Sequence, residues 1–101
     1  MDKNTISILE DYNASLEESF KKIDKTIKAA EKSDKNQKRA ALSSLKQELS
    51  NIKSNYGLMK SELDNLNSEE NKNIWTETVS KIKPRIKTYE KKNKKIRRRI
   101  G

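Results

Sequence analysis

The sequence predicts an all-α protein: an antiparallel up-down-up bundle of three long helices followed by a basic C-terminal extension. Three observations predict it. Apolar residues recur at alternating steps of three and four along three successive stretches, the rhythm that keeps side chains on one helix face. Breakers are scarce, with two Gly and one Pro in 101 residues. At 31% apolar and 39% charged, the chain cannot fill a thick globular core, whereas a long helix need bury only one narrow stripe.

The first helix is expected over about 5–32, opened by Asn4 or Thr5 as N-cap. Its stripe is Leu9, Tyr12, Leu16, Phe20, Ile23, Ile27 and Ala30. The stretch fades at Lys32-Ser33-Asp34, where Ser33 or Asp34 can cap the second helix, expected over 35–66. That helix is the most regular, with Leu42, Leu45, Leu49, Ile52, Tyr56, Met59, Leu63 and Leu66 in an unbroken heptad pattern. It would run about 48 Å. Gly57 inside it costs about 1 kcal/mol relative to alanine.

Asn67, with Glu70 three positions on, has the spacing of a capping box for a third helix over 68–92. Its stripe is Trp75, Val79, Ile82, Ile86 and Tyr89, and the same rhythm continues more sparsely through Asn93 to Ile96 and Ile100. Pro84 either kinks this helix or divides it in two, and the stripe keeping phase from Ile82 to Ile86 favours the kink. Both connections are short, which makes sequence neighbours pack antiparallel. The folded domain is expected over residues 1–92, with 93–101 a fraying tail or the start of a linker.

The composition excludes several function classes. There is no Cys and no His, so disulfides, thiolate chemistry and the usual general base and metal ligand are absent. No phosphate loop, nucleophile turn or metal-ligand spacing occurs, and no cofactor is expected. Glu17-Glu18 and Glu69-Glu70 are neighbours whose side chains diverge around a helix, so they read as surface or helix-start acids. The chain is expected to be non-enzymatic, soluble and, in isolation, monomeric, although the strict heptads of the second helix also fit a self-associating coiled coil.

Two features remain for recognition. Ile6, Ile8, Ala41, Leu58 and Ile74 lie off the stripes. Of these, Leu58 and Ile74 are the candidates for an exposed apolar interaction surface, although off-stripe residues more often widen the buried face. Trp75 and Tyr56 have the chemistry of interface anchors, but their register with the stripes favours the core. The second feature is charge. Residues 1–80 carry a net −1 and residues 81–101 a net +10 of the total +9. The tail cations Lys91, Lys92, Lys94, Lys95, Arg97, Arg98 and Arg99 fit a solvated helix end, contact with an anionic membrane surface, or nucleic acid. A basic helical nucleic-acid-associated protein is therefore the alternative function, disfavoured because no reading face and no stacking platform is evident.

The residues also carry a resemblance. Leu9 to Phe20 (LEDYNASLEESF), Lys38-Arg39, Leu45 to Leu49 (LKQEL), Met59 to Leu63 (MKSEL), Trp75 and Lys81 to Tyr89 (KIKPRIKTY) resemble the N-terminal regulatory three-helix domain of Vti-type vesicle-transport v-SNAREs, the Qb class. The likeness runs over about residues 8–92, with Lys60 where that family usually has an acid. It implies a domain excised from a longer SNARE, with the coiled-coil motif and membrane anchor beyond Gly101. It further implies a place on the cytosolic face of Golgi and endosomal membranes, where such domains regulate SNARE assembly. The implied partners are other SNARE proteins and trafficking adaptors of the ENTH type. The basic tail would then lead toward the coiled coil and the membrane.

Overall fold

The computed structural model describes residues 2–100, so Met1 and Gly101, the outer ends of the expected domain and tail, lie outside the described residues. It is all-helical, with α1 over Lys3–Glu31, α2 over Lys35–Glu62, a 3-10 turn over Leu63–Asn65, α3 over Glu69–Ser80 and α4 over Ile82–Ile100. No strand occurs among the described residues. The molecule is a rod of 52 × 18 × 16 Å.

Helix α1 starts two residues earlier than expected. Asn4 and Thr5 lie inside it, and Asp2 stands at the N-cap position with helical dihedrals and no side-chain bond to its own first turn. The backbone carbonyl of Asp2 still accepts the first helical bond, from the Ile6 N–H at 2.8 Å. Its carboxylate is engaged elsewhere, which is why sequence-local capping rules misplace this end. Helix α2 is capped as expected, with Asp34 accepting from the Gln37 N–H at 2.9 Å. Its α-helical part stops at Glu62 rather than 66, because the last turn tightens to 3-10 geometry before Leu66 turns to extended backbone while staying buried. For α3 the cap is Ser68 rather than Asn67. The Ser68 hydroxyl accepts from the Asn71 N–H at 3.4 Å, with Glu69 and Glu70 in the first turn.

The third segment departs most from expectation. In place of one kinked helix over 68–92 there are two helices divided at Lys81. Pro84 has no N–H to give the Ser80 carbonyl, and its ring crowds that carbonyl. Lys81 instead donates to the Thr78 carbonyl at 3.3 Å. The dihedrals at Lys81 remain right-handed, φ −78° and ψ −16°, so the apolar stripe crosses the division in phase and Val79, Ile82 and Ile86 are all buried. The segment also ends at Ile100 rather than 92. The physical reason is the sparse continuation of the stripe: Asn93 and Ile96 are buried and Ile100 packs against the core. Three apolar-face positions outweigh a dense run of cations that all point outward.

The core is one cluster drawn from every segment: Leu9, Leu16, Phe20, Ile23, Ile27 and Ala30 from α1; Leu45, Leu49, Ile52 and Met59 from α2; Val79, Ile82, Ile86, Tyr89 and Ile96 from α3 and α4, with Leu66 between. Each fully buried aliphatic or aromatic side chain contributes about 1.5–3 kcal/mol. Tyr12, Leu42, Tyr56, Leu63 and Trp75 are partly buried against the cluster, as are the off-stripe Ile6 and Ala41. The most extensive packing is of α1 on α2, followed by α2 on α4.

Gly57 faces solvent in α2, with nothing within 4 Å of where a Cβ would stand. Gly57→Ala should therefore stabilise the fold by about 1 kcal/mol, raising Tm by roughly 4–8 °C. Thermal denaturation followed by circular dichroism checks this, and an unchanged or lower Tm would contradict it.

Candidate interaction surfaces

Three surface features can act on another molecule or hold the shape that does. The first is apolar. Leu58 on α2 and Ile74 on α3 are 52% and 53% exposed, and Ile8 on α1 is 41% exposed. Leu58 and Ile74 each precede a residue packed on the core, Met59 and Trp75, so the helical turn of about 100° per residue carries them off the buried face. Neither lines the grooves beside α4 described below.

The second feature is the basic side of α4. Lys91, Lys92, Lys94, Lys95, Arg97, Arg98 and Arg99 are all exposed, and they ride on a helix docked to the core rather than on a free tail. Between α2 and α4 runs a groove of about 320 Å³ bordered by Lys46, Lys53, Lys94 and Arg97, with Glu90 paired to Lys53 at 2.9 Å. Asn93 lines the same groove. It is 8% exposed, and its Oδ1 lacks a hydrogen-bond partner. On the other flank of α4, Lys92, Lys95 and Arg99 border a smaller groove with Glu31 and Ile96. Lys92 also lies 5.6 Å from the centre of the Tyr89 ring.

The third feature is a pair of polar ties that sequence reading missed. Glu17, read as a surface acid, takes both arms of the Arg85 guanidinium. Arg85 sits 4.0 Å over the Phe20 ring, and Phe20 stacks on Tyr89 at 5.4 Å and 22°. Burial, with Asp24 assisting, pushes the Tyr89 phenol up to about 12. The partners Glu17 and Arg85 are 68 residues apart, and no local spacing announces such a pair. The second tie is Asp2. Its carboxylate accepts from the Asn67 N–H at 2.9 Å, the Ser68 N–H at 2.9 Å and the Asn71 side chain at 3.0 Å. It thereby fastens the start of α1 to the turn that opens α3.

The Asp2 tie gives a pH dependence. Chiefly the Asn71 side chain, then the Asn67 and Ser68 N–H groups, lower the carboxyl from 3.8 to about 2. A depressed folded value means the tie contributes fully above the unfolded value of 3.8 and is lost as pH falls through about 2. Asp2→Asn should lower Tm by several degrees at neutral pH. It should also flatten the decline of Tm in this acid window relative to the parent; an identical acid limb in both proteins would contradict the assignment.

Among the described residues, no helix is long and apolar enough to cross a membrane. A family model described as the N-terminus of vesicle transport v-SNARE proteins matches residues 6–97, from the first turn of α1 to the last turns of α4. No curated protein matches the chain, and no solved structure does.

Proposed function

The chain belongs to the vesicle transport v-SNARE N-terminal family, and from that membership we propose that it is the regulatory domain of a Vti-type SNARE, a docking module that controls SNARE assembly or engages ENTH-type adaptors. The family is non-enzymatic, acts in vesicle transport and interacts with other SNAREs. The observation that supports reading it as one such domain is the extent of the match: it covers α1 to α4 almost entirely, so the recognised unit and the helical unit coincide. The work of this module falls to its exterior, because its interior is filled by aliphatic and aromatic side chains.

On this reading the three segments run up-down-up. The Asp2 tie supports it, since it brings the beginning of α1 beside the exit from α2 and the entry to α3. The Lys53–Glu90 pair supports the proximity of α2 and α4. Leu58 and Ile74 are the proposed apolar contacts for a partner, since exposed apolar side chains that leave the core intact are where hot spots can form. The working place is the cytosolic face of Golgi and endosomal membranes, with the domain monomeric until it meets its partner.

Calorimetric titration of the purified chain with recombinant SNARE motifs and an ENTH domain tests the proposal. Saturable binding is expected, weakened roughly tenfold or more in Leu58→Ser/Ile74→Ser with Tm unchanged. Absence of binding to every SNARE motif and to the ENTH domain would reject it.

A further inference from the structure

The outward side of α4 is organised, not merely basic. Its exposed residues are all cations apart from Pro84 and Thr88. Lys83, Lys87, Lys91, Lys94 and Arg98 follow steps of 4, 4, 3 and 4, the rhythm of the buried stripe Ile82, Ile86, Tyr89, Asn93, Ile96 and Ile100 but displaced to the other side of the helix. Helical rise puts the five in one line about 22 Å long. No carboxylate among the described residues lies within salt-bridge distance of any of them. Lys46 and Arg97 extend the same positive field across the α2–α4 groove. Like charges at i,i+4 repel and weaken the helix that carries them. An opposing anionic surface relieves that repulsion.

We propose that this ridge lays α4 lengthwise on an anionic membrane surface, its five cations meeting lipid phosphates and carboxylates. The form of the ridge selects this occupant. A straight line of cations meets a plane of negative charge along its whole length, each cation within the thin layer where the surface potential acts. A partner helix would need an apolar seam, and the ridge presents none. Single-stranded nucleic acid would need a stacking face, and none of the five ridge positions is aromatic. Because no apolar side chain stands on the ridge to enter the acyl layer, the association is adsorption and is strongly weakened by salt. The proposal does not depend on which protein the domain binds.

The test is co-sedimentation of the whole chain with vesicles of phosphatidylcholine alone or doped with phosphatidylserine, at low and physiological ionic strength. Binding is expected only to the serine-lipid vesicles, falling steeply with salt. Lys87→Gln/Lys91→Gln/Arg98→Gln should lower the partition coefficient on the order of a hundredfold, and Lys91→Gln alone about fivefold, with helical content by circular dichroism unchanged. A charge-matched control on α1, Lys22→Gln/Lys25→Gln/Lys28→Gln, should retain most of the binding. An equal loss in that control, binding indifferent to phosphatidylserine, or tighter binding to a DNA duplex than to the anionic vesicles at the same ionic strength would overturn the proposal.

Discussion

Replacing Phe20 with alanine should destabilise the protein by about 3–5 kcal/mol, the largest effect expected of any single substitution here. Phe20 is 1% exposed and is the point where α1 meets α4. Tyr89 stacks on its ring, and Arg85, held by Glu17, also covers it. Removal leaves a cavity and strips an aromatic pair and a cation–π contact, the latter two contributing roughly 0.5–1.5 and 0.5–1 kcal/mol in favourable cases. These contributions share one ring and do not add freely. Against a total stability on the order of 5–15 kcal/mol, the loss takes a large fraction. Urea denaturation of parent and variant measures it. A second signature is independent of stability: in any Phe20→Ala protein that remains folded, the Tyr89 phenol should fall from about 12 toward the ordinary value of about 10, visible by spectrophotometric titration. A loss below 1 kcal/mol with Tyr89 unmoved would show that the ring does not join these helices.

Cutting the chain after Lys92 should also be costly, although it deletes mostly charged residues. It removes Ile96, which is 2% exposed, and the core-packed Ile100. Ile96→Ala alone should cost about 2–5 kcal/mol, and the truncation at least as much. A solvated extension would give the opposite result, no change or a gain as like charges are relieved. The comparison of Ile96→Ala with Arg98→Gln separates packing from charge, since the second touches only an exposed cation.

These two cases show what the sequence could disclose. The stripes were legible because helical periodicity is local: every buried residue of α1 and α2 except Asp2's neighbourhood lies on the alternating three-and-four rhythm, and Phe20 and Tyr89 stand on it. The end of α4 was harder, since only Asn93, Ile96 and Ile100 mark it among cations that usually signal a solvated terminus. Pro84 was recognised as a disturbance, but whether the helix bends or divides depends on how Lys81 settles its hydrogen bond, which spacing does not encode. Asp2, Glu17 and Arg85 were illegible for a different reason. Each acts on a residue far along the chain, and a carboxylate in a field of charged residues looks the same whether it faces water or a guanidinium. For the interaction surfaces, position off the stripe did not decide exposure, since Ile6 and Ala41 pack against the core while Leu58 and Ile74 stand in solvent. The linear ridge on α4 emerged only once the helix was carried past residue 92.

Everything rests on the apolar stripes of one chain closing on each other and leaving their cations outside. Side-chain nuclear Overhauser contacts, recorded on a mixture of differently isotope-labelled chains at a concentration where sedimentation gives a single 11.7 kDa species, test this most directly. The account predicts strong contacts between the Phe20 and Tyr89 rings, and between Asp2 and Asn71, within the same molecule. Their absence, or their appearance only between molecules of different label, would contradict it.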